Sequence, residues 1–307
     1  MALDPDVAEL VEALAASGAP PLSGGSVEEA RHNYLAASRP APDPLPHVID
    51  VEFPGSTGPI SVRVYSAVAD PTALPILLFA HGGGWVLSSV AGHDHLARRL
   101  ALETGALVVS VEYRLAPEHP FPAPHDDCWD VLHHLRSAGQ HYGGDPDRIV
   151  VCGDSAGANL AAGIAIRARD EGMQLCGQVL VYPCLDDRSG QYPSMIENAT
   201  GYFLTAADMA WFWNHYLPDS HRNDPRAVPA RCNDLSGLTQ TLVVTAEYDP
   251  LRDEGLMYSK RLASAGVDVT EIPVPGVVHG FLARWHTMSR ANETLRQVGD
   301  YVRRITV

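Results

Sequence analysis

The alternation of hydrophobic and polar residues divides the chain into a helical beginning and a longer part in which strands and helices alternate. Hydrophobic residues at helical spacing predict a first helix at residues 5–16: Val7, Leu10, Val11 and Leu14. A second helix is predicted from Ser26 to about Ala37, because Ser26 followed by Glu29 forms a capping-box pattern. The proline-rich segment 38–47 then separates these helices from the rest of the chain.

Beyond this segment the pattern is typical of an α/β protein. Segments 47–53 and 60–66 alternate apolar and polar residues, as half-buried antiparallel strands do. The continuous apolar run 74–80 indicates a strand that is covered on both faces. Further strands are predicted at residues 106–113, 148–152, 178–183, 241–249 and 267–274, and helices at residues 93–105, 125–143, 158–168 and 284–304. This order predicts a mostly parallel, doubly wound sheet flanked by helices.

Residues 184–236 interrupt the alternation of strands and helices. Thr205 and Asp208 form an N-cap pattern, and four large apolar residues then share one helical face: Met209, Phe212, Trp213 and Tyr216. This helix either packs on the sheet or belongs to a cap whose apolar face lines a pocket. The predicted division is an N-terminal helical cap segment, a two-part α/β core and a cap insertion: residues 1–45, 46–183 with 237–307, and 184–236.

The composition is that of a globular protein that does not bind polyanions. Of the 307 residues, 46% are hydrophobic and 19% are charged, which supports a buried core. The net charge of −15 makes nucleic acid and anionic membrane surfaces poor partners. Residues 1–17 contain four acidic residues and no Lys or Arg, unlike a secretory signal, and no apolar run approaches the ~18 residues that span a bilayer. The five scattered cysteines predict free thiols, so we expect a cytoplasmic protein without stable membrane association.

The pattern GDSAG at residues 153–157 places a candidate nucleophile, Ser155, between an apolar strand and the small-residue helix 158–168. Gly153 and Gly157 remove side chains that would clash in a tight bend, and the helix N-terminus points at the reacting centre. The motif is also compatible with an ordinary glycine-rich turn. A serine hydroxyl needs a base to become a nucleophile, so the interpretation depends on residues elsewhere in the chain.

The candidate base is His279. It follows the predicted strand 267–274 and precedes the last helix. The other histidines after Ser155 are less well placed, since they fall in or near the helix of the insertion or in the terminal helix: His215, His221 and His286.

The candidate acid is Asp249, which ends the buried strand 241–249 and is followed by the strand-breaking Pro250. Asp253 is the competing residue and is expected to face solvent in the following turn or helix. Asp154, inside the GDSAG motif, either orients its neighbours or is a polar residue that the turn tolerates.

The run HGGGW at residues 81–85 directly follows a predicted strand. Tetrahedral oxyanions require backbone N–H groups that side chains do not obstruct, and glycine permits that approach. The N–H of Ala156, directly after Ser155, would provide another donor. A phosphate-binding loop is the alternative, but no G-x-G-x-x-G or G-K-[ST] pattern follows.

A metal site has one weak candidate, the sequence His93-Asp94-His95. Two histidines two residues apart point to different faces of a helix, and the sequence contains no H-E-x-x-H motif. We therefore predict neither a metal nor a cofactor.

Five motifs, in order through essentially the whole chain, resemble those of the bacterial hormone-sensitive-lipase-like esterases: HGGGW at 81–85, YRLAPE at 113–118, GDSAG at 153–157, DPLRDEG at 249–255 and GxxHGF at 276–281. The resemblance implies an α/β-hydrolase fold, in which serine, acid and histidine follow one another along the chain, each after a strand. It implies Ser155 as nucleophile, Asp249 as acid and His279 as base, with three oxyanion donors: Gly83, Gly84 and Ala156. Ala158 and Pro275 depart from the usual residues beside these motifs.

The resemblance further implies a serine carboxylesterase that hydrolyses a small-molecule ester through an acyl-enzyme. The aromatic insertion favours short- to medium-chain acyl groups in a pocket formed by Trp85, Phe212 and Trp213, although plain packing is an equal interpretation of Trp85. Two alternatives remain open: a non-catalytic small-molecule receptor on the same fold, and an amidase or acyltransferase with the same three side chains. The sequence also leaves homo-oligomer formation open.

Overall fold

The structure, a computed structural model, describes residues 2–18, 21–36 and 42–307. Ala37, the predicted end of the second helix, lies outside the described residues, as do residues 38–41 of the predicted proline-rich segment. The predicted N-terminal cap segment 1–45 is therefore described only in part.

The strands of the described residues are β1 (His47–Phe53), β2 (Ile60–Ser66), β3 (Leu74–Ala80), β4 (Leu107–Val111), β5 (Gly144–Asp154), β6 (Gly177–Val181), β7 (Thr241–Tyr248) and β8 (Val269–Val278). They form one sheet in the order β1-β2-β4-β3-β5-β6-β7-β8. β2 pairs antiparallel with β1 and with β4, and the other neighbouring strands pair parallel. The predicted mostly parallel sheet is confirmed.

The α-helices of the described residues are α1 (Pro5–Ser17), α2 (Val27–Ala36), α3 (Asp94–Thr104), α4 (Ala123–Ala138), α5 (Ala156–Asp170), α6 (Pro193–Glu197), α7 (Ala206–Tyr216), α8 (Arg252–Ser264) and α9 (Ser289–Ile305). α3 and α9 cover one face of the sheet, with Leu96 and Leu295 in its core cluster. α4, α5 and α8 cover the other face, with Leu132, Leu160 and Leu262 in the second cluster. Helices on both faces make the sheet doubly wound, as predicted.

Several elements differ from the predicted pattern, and the short helix α6 was not predicted. β8 continues to Val278, beyond the predicted end at residue 274, because a bulge lets the strand resume pairing with β7. α9 begins at Ser289 and not near residue 284, since a 3₁₀ turn at Phe281–Arg284 precedes it. α8 occupies the segment after Asp249 that the sequence left open as a turn or a helix, and its acidic first turn, Asp253 and Glu254, favours the helix.

The capping box predicted at α2 and the N-cap predicted at α7 are both confirmed, and the α7 cap is itself a capping box. At α2, Ser26 N–H donates to Glu29 Oε2 over 2.8 Å and Glu29 N–H donates to Ser26 Oγ over 3.2 Å. At α7, Asp208 N–H donates to Thr205 Oγ1 over 3.0 Å and Thr205 N–H donates to Asp208 Oδ2 over 3.2 Å. Asp208 Oδ1 also accepts from Ser23 N–H over 2.8 Å. This bond joins the insertion to the N-terminal segment.

All five cysteines are free, as predicted, and Cys152 lies buried in β5. No helix among the described residues is both long enough and apolar enough to cross a membrane.

Candidate active site

Ser155 occupies a strained bend between β5 and α5. Its φ of 55° and ψ of −119° lie outside the regions that non-glycine residues usually adopt, and its N–H donates to Val181 O of β6 over 2.8 Å. A Cβ at Gly157 would lie 1.9 Å from Ala80 O, and one at Gly153 would lie 2.2 Å from the Gly157 carbonyl. The two flanking glycines are therefore required by close packing, and together they hold Ser155 at the carboxyl edge of the sheet.

His279 and Asp249 meet Ser155 at this edge. Ser155 Oγ lies 2.9 Å from His279 Nε2, and His279 Nδ1 lies 2.7 Å from Asp249 Oδ2. A carboxylate only accepts, so Nδ1 carries the proton that it donates to Asp249, and Nε2 remains free to accept the Ser155 hydroxyl proton. Asp249 is fully buried, and its Oδ1 accepts from Leu251 N–H over 2.9 Å. The three side chains form a continuous chain of hydrogen bonds.

Two further residues support this chain, and neither was anticipated from the sequence. Asn198 Nδ2, at the end of α6, donates to Asp249 O over 3.2 Å. The Tyr182 ring lies 4.6 Å from the His279 ring, and Tyr182 has a φ of 36°, which is rare for a bulky residue. Asn198 lies in the insertion and Tyr182 at a strand end, where local periodicity carries no information about their partners.

The prediction that Asp253 faces solvent is wrong. Asp253 is half-buried at the start of α8, where its Oδ2 accepts from Ser194 N–H over 2.8 Å and its Oδ1 accepts from Arg252 Nε over 2.8 Å. The carboxylate is held by the first turn of α6 and by its own neighbour, so it anchors the insertion and does not contact His279.

The glycine loop after β3 lies beside Ser155. Gly83 and Gly84 have φ values of +120° and +61°, in the region that favours glycine. Gly83 O accepts from Leu87 N–H over 2.8 Å, which closes the loop into a turn. A Cβ at Gly84 would lie 2.1 Å from the Phe212 ring. Ala156 begins α5, so its N–H is one of the first-turn donors that a helix leaves without an intrahelical partner.

A buried polar network supports the glycine loop. Asp154 Oδ1 accepts from Gly82 N–H over 2.9 Å, and Asp154 Oδ2 lies 3.4 Å from His93 Nε2. His93 Nδ1 lies 2.8 Å from Ser88 Oγ. Burial alone would raise the pKa of Asp154, but the His93 ring and the Gly82 N–H outweigh it and hold that pKa below its usual value. Asp154 therefore orients the loop, which is one of its two predicted roles.

The histidines near the loop have structural partners. His93 belongs to the network just described, and His95 Nε2 lies 3.1 Å from Ala283 O. His81 is fully buried between His93 and Tyr113, and burial lowers the pKa of His81 to about 3. The described residues contain no group of three or more side chains that could hold a metal ion.

A cavity of about 580 Å³ opens above Ser155 and His279. Its lining is mostly apolar and includes Leu14 and Tyr34 of the N-terminal helices, Gly83 and Gly84 of the glycine loop, and Leu204 and Phe212 of the insertion. His95, Ala283, Arg284 and His286 line it as well. A cavity of this size and polarity accommodates a small organic molecule with the reacting group next to the serine.

The predicted pocket residues Trp85 and Trp213 do not line this cavity. Trp85 is fully buried, stacked on Tyr216 at 4.1 Å and against Trp213 at 4.5 Å. Phe212 and Trp213 are neighbours on α7, so their side chains point about 100° apart around the helix axis. Phe212 faces the cavity, whereas Trp213 faces Trp85 and attaches the insertion to the core.

Comparisons with known proteins identify similar chains. A profile of the alpha/beta hydrolase fold matches residues 77–283, more than half of the chain. The chain is 41% identical over 265 residues to the carboxylesterase NlhH of Mycobacterium tuberculosis, covering 83% of this chain and 82% of that protein. It is 35% identical over 313 residues to an ethyl acetate hydrolase of Pseudomonas putida, covering 97% of this chain and 98% of that protein. The solved structure of a hyperthermophilic esterase from the archaeon Pyrobaculum calidifontis matches with a TM-score of 0.92 and 38% identity, covering 99% of each chain.

Proposed function

This chain belongs to the hormone-sensitive-lipase-like carboxylesterases of the α/β-hydrolase fold, and from that premise we propose that it cleaves its ester through a covalent acyl-enzyme on Ser155. The observation that carries the proposal is the hydrogen-bond chain from Ser155 Oγ through His279 to Asp249, at 2.9 and 2.7 Å, below an apolar cavity. A hydroxyl that donates to an imidazole whose other nitrogen is held by a buried carboxylate is the arrangement that activates serine for acyl transfer.

In the acylation half-reaction, His279 Nε2 takes the proton of Ser155 Oγ while the oxygen attacks the ester carbonyl carbon. The carbonyl electron pair moves to oxygen, and the resulting oxyanion accepts from the N–H groups of Gly83, Gly84 and Ala156. When the C–O bond to the alcohol breaks, the leaving oxygen takes the proton from His279 Nε2. Each oxyanion donor of this kind contributes about 10²–10³-fold to the rate in comparable enzymes.

In the deacylation half-reaction, water replaces the alcohol and the same proton movements run again. His279 Nε2 takes a proton from water, the hydroxide attacks the acyl carbon, and Ser155 Oγ leaves with that proton. Asp249 fixes the imidazole tautomer and stabilises its cation in both halves. The serine, histidine and carboxylate are thus restored, and the net reaction is ester plus water to acid plus alcohol.

We further propose short- to medium-chain acyl esters as substrates, beneath a cap formed by residues 1–45 and 184–236. Both segments line the cavity, through Leu14 and Tyr34 on one side and Leu204 and Phe212 on the other. Phe212 lies directly against Gly84, so its ring limits the space beside the reacting carbonyl. One similar protein is named for a small ester, ethyl acetate. The five free cysteines support a cytoplasmic location.

The nucleophile is tested by comparing Ser155→Ala with a matched control, Ser110→Ala. Ser110 is buried in β4 and is not part of the cavity lining. With p-nitrophenyl acetate, wild type and the control should give a burst of nitrophenol and an acetyl adduct in the intact-protein mass spectrum, while Ser155→Ala should lower kcat by about 10⁶-fold. Turnover in Ser155→Ala, or ligand binding without turnover by the wild type, contradicts the proposal and in the second case favours a receptor.

The substrate range is tested by a series of p-nitrophenyl acetate, butyrate, octanoate and palmitate, with anilides of the same acids. We expect the highest kcat/KM among the first three esters. A maximum with palmitate contradicts the chain-length proposal, and faster cleavage of the anilides would make amide hydrolysis the main activity.

A further inference from the structure

The ladder between β7 and β8 is interrupted just before the two strands deliver Asp249 and His279. Ala246 pairs with Val274, and the next pair is Tyr248 with Val278. One residue of β7, Glu247, therefore lies opposite three residues of β8, 275–277. Such a bulge bends the strand and re-aims the side chains that follow it.

The Glu247 side chain replaces the missing strand partner inside this bulge. Pro275 has no N–H, so Gly276 supplies the first backbone donor of the three residues, and it donates to Glu247 Oε2 over 2.8 Å. The φ of Gly276 is +73°, and Gly276 O accepts from Asp4 N–H over 3.0 Å. Both polar groups of Gly276 are thus held, one by β7 and one by the N-terminal segment.

Glu247 itself is fixed by the elements around it. Its carbonyl oxygen accepts from Asn198 Nδ2 over 3.4 Å and from Arg252 Nη1 over 3.2 Å. The same Asn198 nitrogen donates to Asp249 O. Asn198 therefore links the backbone of Asp249 to that of Glu247, whose carboxylate holds Gly276.

We propose that Glu247 is a positioning residue for the Asp249–His279 pair, because its carboxylate ties the bulge of β8 to the strand that carries the acid. This inference rests on the proposed function. Glu247 precedes Asp249 by two residues and Gly276 precedes His279 by three, so the bond closes a short loop through the Asp249–His279 contact. Loss of the bond removes one restraint on the backbone that leads to His279, and displacements of about 1 Å at a catalytic group can cost about 10²-fold in rate.

The experiment compares Glu247→Ala, Glu247→Gln and Glu247→Asp with the control Glu271→Ala. Glu271 is a β8 carboxylate that accepts from Ser259 Oγ, towards the other end of the strand. We expect Glu247→Ala to lower kcat at least about 10-fold with KM changed less than about 2-fold, the pattern of lost orientation. Glu247→Gln keeps an acceptor of the same length and should stay within about 2-fold of wild type. Glu247→Asp is one methylene too short and should resemble Glu247→Ala.

A second readout separates positioning from stability. The low-field ¹H NMR resonance of His279 Nδ1–H, donated to Asp249, should be present in wild type, Glu247→Gln and Glu271→Ala and should be weakened or absent in Glu247→Ala. Rates are expressed per competent site by titrating the burst amplitude. If Glu247→Ala does not fold, Glu247→Asp decides the question by the same criteria.

Three results overturn the inference: wild-type kcat and an intact low-field resonance in Glu247→Ala or Glu247→Asp, a Glu247→Gln variant as slow as Glu247→Ala, or an equal loss in Glu271→Ala. Failure of the proposed function looks different. In that case wild type forms no acyl adduct and Ser155→Ala retains turnover, whatever the Glu247 variants do.

Discussion

Replacing Asp249 by asparagine should remove almost all activity while leaving the fold intact. Asp249 is fully buried and accepts two hydrogen bonds, from His279 Nδ1 and from Leu251 N–H. In the Asp249→Asn variant one carboxylate oxygen becomes an NH₂ group. If the remaining oxygen stays on Leu251 N–H, the NH₂ group donates to His279 Nδ1, and the imidazole proton moves to Nε2, where it is donated to Ser155 Oγ.

Both hydrogen bonds of Asp249 keep a counterpart in that arrangement, so it is the more stable of the two. The opposite orientation of the introduced amide would place its NH₂ group against Leu251 N–H and leave a buried donor without a partner, at a cost of about 1–3 kcal/mol. The stable form is inactive, because a protonated Nε2 cannot accept the Ser155 proton. The expected loss is about 10⁴-fold in kcat, which corresponds to about 5.4 kcal/mol in the activation free energy.

The matched control is Asp253→Asn, four residues away. Asp253 accepts from Ser194 N–H and pairs with Arg252, and its side chain is 21% exposed. Its replacement should lower the unfolding free energy by about 1 kcal/mol or less and leave kcat within about 3-fold, since no proton of the reaction passes through it. Initial rates with p-nitrophenyl butyrate and urea unfolding measure both quantities. A reversed ranking of the two variants, or nearly normal kcat in Asp249→Asn, would refute the assignment of the acid.

The remaining predictions concern the glycine loop and two titrating side chains. Gly84→Ala should lower kcat by about 10²-fold, because its Cβ would lie 2.1 Å from the Phe212 ring and would displace the loop that carries the oxyanion donors. The double variant Gly84→Ala/Phe212→Ala should recover part of the loss. Normal kcat in Gly84→Ala would argue against this loop as the oxyanion site. Burial lowers the pKa of His81 from 6.5 to about 3, so only the unfolded chain takes up this proton between these values, and stability falls as the pH falls below 6.5. Urea unfolding between pH 7 and 5 measures this effect. Below pH 6.5 the unfolding free energy of wild type should fall by about 1.4 kcal/mol more per pH unit than that of His81→Gln. The same pH dependence of the unfolding free energy in both proteins would contradict the prediction. Arg31 lowers the pKa of Glu118 from 4.5 to about 2, so this pair stabilises the fold above pH 4.5 and the effect disappears as the pH falls towards 2. Because the Glu118 side chain is 54% exposed, Glu118→Gln should lower the unfolding free energy by less than about 1 kcal/mol at pH 7. If the two proteins differ as much at pH 2 as at pH 7, the ion pair with Arg31 is not the cause of the difference.

The sequence by itself determined most of the elements and their order. Periods of 2 and 3.6 residues are local properties, so the strands from β1 to β7, helices α1 to α5 and both capping boxes follow from nearby residues. The sequence also singled out Ser155, Asp249 and His279, because each follows a strand and parallel strands end at one edge of the sheet. The structure brings these three side chains into hydrogen-bond contact.

Only the tertiary structure decided which residues support that contact. Asp154 accepts a hydrogen bond from Gly82, 72 positions away in the chain. Glu247 accepts one from Gly276 across a bulge that the hydrophobic periodicity does not predict. Trp213 packs on Trp85 while its neighbour Phe212 faces the cavity. The apolar face of α7 includes both aromatic residues, so the sequence predicts that both side chains are buried but not which residues each one contacts. Partner choice depends on three-dimensional packing between distant segments, and hydrogen bonds and close contacts of this kind leave no trace in local periodicity.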